Sequence, residues 1–176
     1  MAGLEIEIKS YCEDREACIR RAVALGAVLS VKHGEWDRYF THPCRDFGST
    51  DEALRVRRSD GAFILTYKGP KLGGMSKTRI EEEAAVQDGD ALEKILEHLG
   101  FRLFGEVRKE RLLYRLGETE LCFDRIEELG DFVELERRGT EREIVEKELF
   151  ALAAELGLSR FETRSYLELL IERRRS

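Results

Sequence analysis

Over much of the chain, apolar and polar residues alternate with period two. Leu4, Ile6 and Ile8 interleave with Glu5, Glu7 and Lys9, Leu54 and Val56 with Arg55 and Arg57, and Val133 and Leu135 with Glu134 and Glu136. That period marks strands with one buried face, and here the polar faces are almost wholly charged. A helical period takes over in three places. Ile19, Ala22 and Val23 form a stripe that stops at Gly26, and Leu92, Ile95, Leu96 and Leu99 form another, from the N-cap candidate Asp90 to Gly100. Thr140 with Glu143 reads as a capping box for a third helix through Val145, Leu149, Leu152 and Leu156, stopped by Gly157.

The elements repeat. Glu5-x-Glu7, Glu81-x-Glu83 and Glu134-x-Glu136 each open a unit of strand, helix, Leu-Gly pair and new strand. After Leu25-Gly26 and Leu99-Gly100, long strand-like segments run through Trp36, Tyr39 and Phe40 and through Val107, Leu113 and Tyr114. The pattern is that of internal pseudo-symmetry within one β-rich domain over residues 1–176, with helices packed outside the sheet.

Composition narrows the class. A chain of 176 residues can bury a full core without disulfide or metal staples. Charged residues reach 38%, against an ordinary quarter, yet 30 basic and 36 acidic side chains leave a net charge of only −6. That balance argues against a general nucleic-acid binder. No apolar stretch approaches the ~20 residues that span a bilayer, and the opening MAGLEIEIK lacks the basic start and apolar core of a signal peptide. The four cysteines form no C-x-x-C pair and share no metal-ligand spacing with the three histidines. Buried, reduced thiols in the cytoplasm are the expectation.

The charges are most informative when sorted by strand face. The acidic set is Glu5, Glu7, Glu81, Glu83, Asp124, Glu134 and Glu136; the basic set is Lys9, Arg55, Arg57, Lys68, Lys77, Arg79, Lys109 and Arg111. A sheet open to water would account for such faces as solvated surface. Like charges repeated at i, i+2 repel, however, unless something of opposite sign lies between them. A divalent cation would serve Glu5/Glu7 and Glu134/Glu136, and a polyanion would serve Arg55/Arg57. A closed barrel with helices outside would turn these faces inward and make a polar tunnel suited to a metal–polyphosphate substrate.

Glu5-Ile6-Glu7-Ile8-Lys9 resembles the E-x-E-x-K signature of the CYTH superfamily, the triphosphate tunnel metalloenzymes. Leu54-Arg55-Val56-Arg57, Leu65 to Pro70, Lys77 to Glu83, Lys109-Glu110-Arg111, Phe123-Asp124, Leu129 to Glu136 and Ser165 to Leu170 extend the resemblance along nearly the whole chain. The run from Trp36 to Pro43, leading to Thr50–Arg55, looks most like the class IV adenylyl cyclase branch. The resemblance implies an α+β fold: a closed eight-stranded antiparallel β-barrel enclosing a tunnel open at both ends, with helices packed outside. It also implies a triphosphate bound with Mg²⁺ or Mn²⁺. Glu5, Glu7, Asp124, Glu134 and Glu136 match the family's metal-side carboxylates. Lys9, Arg55, Arg57, Lys68, Lys109 and Arg111 match its phosphate-side cations, and Arg79, Glu81 and Glu83 a mixed strand.

Three functions follow from that reading. The first is conversion of ATP to cyclic AMP and pyrophosphate, with Glu5, Glu7 and Lys9 at the reacting end. The second is hydrolysis of inorganic or thiamine triphosphate, and the third is a polyphosphate or nucleotide sensor without turnover. Lys9 would act as a base only if cationic neighbours and burial lower its pKa more than the carboxylates raise it; a charged phosphate ligand is the favoured role. Expected partners are a nucleoside or inorganic triphosphate, with a homodimer left open, and neither nucleic acid nor membrane. Trp36, Tyr39 and Phe40 are expected in packing, His33 and His98 at the surface, and His42 in a turn. Arg173–Arg175 read as a solvated tail after a strand-like segment, and Lys71–Met75 as a loop that could cover a tunnel mouth.

Overall fold

The computed structural model describes residues 4–72, 76 and 78–175; Lys77 and the Gly73–Met75 part of the candidate lid lie outside them. Eight strands form a single antiparallel sheet: β1 (Leu4–Tyr11), β2 (Val28–Thr41), β3 (Ala53–Ser59), β4 (Ala62–Lys68), β5 (Glu81–Val86), β6 (Arg102–Leu116), β7 (Thr119–Ile126) and β8 (Gly130–Gly139). The order across the sheet is β1-β8-β7-β6-β2-β3-β4-β5. The sheet curls until its two edges meet, and one bridge, Glu5 to Arg79, joins them. The α+β barrel expected from the sequence is therefore present as a curl with a seam, closed among the described residues by a single bridge instead of a full ladder. Farther along the free edge of β1, residues 160–162 take over: Tyr11 N–H donates to Arg160 O (3.0 Å) and Glu162 N–H to Lys9 O (2.8 Å).

The period-two pattern decides which face goes where. Ile6, Ile8, Leu121, Phe123, Val133 and Leu135 point outward, into a core beneath α1 (Arg15–Ala24) and α4 (Arg142–Glu155), where they meet Cys18, Ala22, Leu149 and Ala153. A second core joins Leu96 of α3 (Gly89–His98) to Phe40 and Val56. Removing these apolar faces from water stabilises the curl by ~25 cal/mol per Å² buried, and it turns the alternate, charged residues inward. The three helices built on the repeated unit end alike. Their C-caps are Leu25, Leu99 and Leu156, and the glycines that follow have φ of 98°, 90° and 80°, a region that disfavours any residue with a Cβ.

Several local expectations are corrected. The α3 N-cap is Asp88, which accepts from Ala91 N–H at 2.8 Å, and Asp90 lies in the first turn. The Thr140–Glu143 box does not form, because α4 is capped one residue later, at Glu141, without a side-chain bond. Val23, Ile95 and Leu99 are more than half exposed, so α1 docks through Cys18 and Ala22, and α3 through Leu96. The C-terminal segment is not a strand but helix α5 (Tyr166–Arg175), opened by a capping box in which Glu168 N–H donates to Ser165 Oγ (3.2 Å) and Ser165 N–H to Glu168 Oε2 (2.6 Å). Arg173–Arg175 are solvated as expected but lie in the last turn of α5, where Arg174 also pairs with Glu128. Tyr166, Leu167, Leu169 and Leu170 pack with Val107, Ile126 and Phe132, which share the inward face with Lys109, Asp124 and Glu134. Helix α5 thus packs across one end of the curl, where the sequence implied an open mouth. Among the described residues, no helix is long and apolar enough to cross a membrane.

Candidate functional site

The inside of the curl holds a cavity of about 850 Å³ lined by inward residues of all eight strands and by the start of α5. Its charged side chains divide into three groups with different electrostatic states.

The first group is acidic. Glu7 and Glu136 face each other across the β1–β8 ladder, and Glu5 stands two residues from Glu7 on the same face. The three carboxylates can bring ligand oxygens within 4.8 Å of one another. Burial, and then Glu5 and Glu7, push the Glu136 carboxyl up to about 8, although Arg111 pulls it down. Burial and then Glu81 push Glu5 to about 7, against the pull of Lys68 and of Arg138, whose guanidinium lies 3.7 Å away. Three converging carboxylate oxygens, two of them resisting ionisation, form a donor set of the kind a hard divalent cation takes.

The second group is already paired. Asp124, wholly buried, accepts from Arg111 Nε (2.6 Å) and Nη2 (2.5 Å), from Lys109 Nζ (3.3 Å) and from Tyr166 Oη (3.0 Å). Arg111 Nη2 also reaches Glu134 at 2.5 Å. Asp37 takes a two-point contact from Arg57, at 2.6 Å and 2.8 Å. Glu35 Oε2 lies 2.9 Å from Arg57 Nη2 and 3.1 Å from Lys109 Nζ, contacts of charge without aligned hydrogen bonds, while its Oε1 meets His33 Nε2 at 2.8 Å. Burial alone would raise Asp37; Arg57 and Arg55 outweigh it and hold the carboxyl at about 2. Glu35 is likewise held well below the usual range by Lys109 and Arg111, against burial.

The third group is more loosely held. Arg55 Nη1 stands 3.6 Å from Asp37, and its Nη2 stands 3.5 Å from Glu83 and 3.0 Å from Thr66 Oγ1. Its Nε is buried and has no hydrogen-bond partner among the described residues, an orphaned donor. Arg79 Nε is 3.6 Å from Glu81, which also accepts from Lys68 Nζ. Burial and the neighbouring Arg55 lower the Lys68 pKa despite Glu81. Arg55, Lys68 and Arg79 thus gather three cations at one end of the cavity, where an anion could share their charge with Glu81 and Glu83. Lys9 Nζ, nearly fully buried, donates to Arg164 O and sits 4.1 Å from the Tyr166 ring centroid.

A model of the CYTH domain matches residues 3–166. The chain belongs to the CYTH family. It is 37% identical over 171 residues to a Methanocaldococcus jannaschii protein named, provisionally, as an adenylate cyclase, covering 94% of this chain and 98% of that one. It is 29% identical over 170 residues to the Aeromonas hydrophila adenylate cyclase CyaB, covering 92% and 86%. Among solved structures, the PH1819 protein of Pyrococcus horikoshii OT3 superposes with a TM-score of 0.86 at 39% identity, covering 96% and 99%.

Within this CYTH fold, most of the residues singled out from sequence line one cavity, and Lys9 and Asp124 lie on the same inward strand faces behind its wall. Glu5, Glu7 and Glu136 come together. Asp124 and Glu134, expected beside a metal, are held by Arg111, and Glu81 and Glu83 lie among Lys68, Arg79 and Arg55. Arg57, Lys109 and Arg111, expected to meet phosphate, are engaged by protein carboxylates. Glu35, Asp37, Tyr166 and His33 join the site without having been expected there. His33, Glu35 and Asp37 do alternate at i, i+2 along β2, the same signal used elsewhere, but aromatic Trp36, Tyr39 and Phe40 dominate that stretch. Cys12, Cys18 and Cys122 are buried as expected, whereas Cys44 is exposed. Trp36 lies on the outer face, against Arg108 at 4.4 Å, and Phe40 packs beneath α3.

Proposed function

We propose that this protein is a divalent-metal-dependent enzyme acting on a triphosphate, and that its reaction is conversion of ATP to cyclic AMP and pyrophosphate. The observation carrying the proposal is the pairing, in one cavity, of the Glu5/Glu7/Glu136 group with the orphaned donor of Arg55 beside Lys68 and Arg79. A sensor of polyphosphate alone would gain nothing from three converging carboxylates. The choice of ATP rests on similarity to the two relatives named for adenylate cyclase activity.

In this reading Glu5, Glu7 and Glu136 hold Mg²⁺ or Mn²⁺, which supplies charge neutralisation and lowers the pKa of the attacking hydroxyl. Arg55, Lys68 and Arg79 orient the triphosphate and offset the charge that develops on the leaving pyrophosphate. Arg55 contributes its free Nε without breaking an existing bond. Lys9, whose Nζ donates to the Arg164 carbonyl and lies over the Tyr166 ring, serves in this reading as a fixed positive charge, not as a base. Packing of α5 across one end limits water, which favours attack by a hydroxyl of the substrate over hydrolysis.

The test is a substrate panel. The protein is incubated with Mg²⁺ or Mn²⁺ and ATP, inorganic triphosphate or thiamine triphosphate, and cyclic AMP, pyrophosphate and phosphate are measured. Cyclic AMP with equimolar pyrophosphate is the expected result. Phosphate from inorganic or thiamine triphosphate without cyclic AMP would replace the cyclase by a triphosphatase, and no turnover with any of the three would leave a binding protein.

A further inference from the structure

Tyr39 meets the expectation of packing only as far as its ring. The ring lies half-buried against the α5 cluster of Val107, Phe132, Tyr166 and Leu167. Gly105 stands opposite it on β6, where a Cβ would come within 2.7 Å of Leu167 Cδ1, so this position leaves room for the helix beside the ring. The hydroxyl is in a different setting. Tyr39 lines the cavity, and its Oη has no hydrogen-bond partner among the described residues. Three of the other tyrosines are committed: Tyr11, Tyr67 and Tyr166 donate to Glu162, Glu52 and Asp124. Tyr114 lies in the outer core, away from the cavity. The charges that bear on the Tyr39 proton are Asp37, Arg55, Arg57 and Lys109, which sets the oxygen beside the charged wall. Burial and then Asp37 raise its pKa against the three cations, so the phenol keeps a proton to donate at neutral pH. On the β2–β3 ladder Tyr39 is directly opposite Arg55. Arg55 Nε also lacks a partner, so the two side chains do not satisfy each other. An acceptor lying against both would take a hydrogen bond from each.

We propose that Tyr39 is a substrate-binding residue, the neutral member of the anion site: its hydroxyl donates a hydrogen bond to the phosphate group that Arg55 holds. The inference rests on the triphosphate reading above and adds a ligand-contacting residue to it. An uncharged donor suits this place. Arg55, Lys68 and Arg79 already repel one another, and a fourth cation would add to that repulsion, whereas a hydroxyl meets an anionic oxygen without it. The packed ring also fixes the donor in advance, so little side-chain freedom is lost on binding.

The experiment is calorimetric titration of inorganic triphosphate with Mg²⁺ into the wild type, Tyr39→Phe, Tyr114→Phe, Arg55→Lys and the double variant Tyr39→Phe/Arg55→Lys, with a thermal melt of each. Tyr39→Phe is expected to bind about tenfold more weakly, the order for loss of one hydrogen bond to a charged acceptor, and Tyr114→Phe to bind as the wild type does. The double variant should lose less than the product of the two single losses, because both contacts are to one phosphate. A loss below about threefold in Tyr39→Phe, an equal loss in Tyr114→Phe, or fully independent losses in the double variant would overturn the proposal. Since Oη has no protein partner, Tyr39→Phe should melt within about 1 °C of the wild type. A larger fall, or failure to fold, would make the hydroxyl structural and equally overturn the proposal. Wild-type binding with an unchanged Tyr39→Phe removes only this contact; absence of wild-type binding would instead remove the triphosphate reading beneath it.

Discussion

Two acidic clusters share this cavity and behave in opposite ways. Glu5 and Glu136, next to Glu7, are pushed up to about 7 and 8, whereas Asp37 is held at about 2 and Glu35 lower still. Burial raises all four, so burial does not explain the contrast. The difference is what faces each carboxylate. Asp37 and Glu35 are set against Arg57, Arg55, Lys109 and Arg111, while Glu5 and Glu136 are set mainly against other glutamates. One cluster has its cations built into the chain, and the other is the one proposed above to take a cation from solution. A list of acidic residues on inward strand faces does not separate a metal site from a structural ion-pair network; their partners do.

The sharpest way to break this comparison is to remove a carboxylate from the Glu5/Glu7/Glu136 cluster. Glu136→Ala is expected to abolish turnover, by about 10³-fold or more, while raising the melting temperature of the metal-free protein, since one source of like-charge repulsion is gone. Mg²⁺ should no longer stabilise the variant, whereas the wild type is expected to gain stability from it by mass action. Steady-state assays and paired melts with and without Mg²⁺ decide the matter. Full activity at low metal would return Glu136 to the structural network.

The opposite intervention targets the paired cluster. Arg111→Leu leaves Asp124 and Glu134 facing each other without their shared guanidinium, in a place where Asp124 has no exposure to water. Breaking a buried pair from one side costs ~3–5 kcal/mol. Urea denaturation should show a loss of that size. A loss below about 1 kcal/mol would mean that the wall is not an integrated ion-pair network.

Acid and base should also act differently on the two clusters. The carboxyls of Glu5 and Glu136 titrate higher in the folded protein than in the unfolded chain, so the fold binds more protons between about pH 4.5 and 8, and stability falls as pH rises through that window. Asp37 and Glu35 titrate lower when folded, so their contribution is full above about pH 4.5 and is lost as pH falls below it. Metal-free protein is thus expected to be most stable in mildly acid buffer, with a decline of a few kcal/mol toward pH 8 at the upper limit of one coupled pair. Saturating Mg²⁺ should flatten the alkaline side and leave the acid side alone. A metal-free profile flat from pH 5 to 8 would contradict the Glu5 and Glu136 assignments.

Much of this is legible in the sequence, and the part that is not has a physical reason. Period-two alternation places Glu5, Glu7, Arg55, Arg57, Glu134 and Glu136 on inward faces, because a strand's side chains must alternate. Alternation fixes which face a residue occupies, not its neighbour across the sheet. The partners of Asp124 and Glu134 depend on the β6–β7–β8 register, which sets Arg111 opposite Asp124 and Cys122 opposite Glu134. Helix α5 reads as a strand because Tyr166 to Ile171 is apolar enough for one, although Ser165-x-x-Glu168 carries a helix-start signal.

The smallest expected effect separates two arginines that look equivalent in sequence. Arg55 and Arg57 lie two apart on β3, and both face the cavity. The Arg57 fork is committed to Asp37 through Nε and Nη2, whereas Arg55 leaves its Nε without a partner. Replacing either by Lys preserves the charge and removes the fork. Arg55→Lys should therefore weaken triphosphate binding by about tenfold with little change in melting temperature. Arg57→Lys should lower the melting temperature by a few degrees and change affinity less, because what it loses is a bond to Asp37. Equal losses of affinity in the two variants would show that substrate draws Arg57 away from Asp37, and the boundary between the anion site and the paired wall would then lie one residue pair deeper.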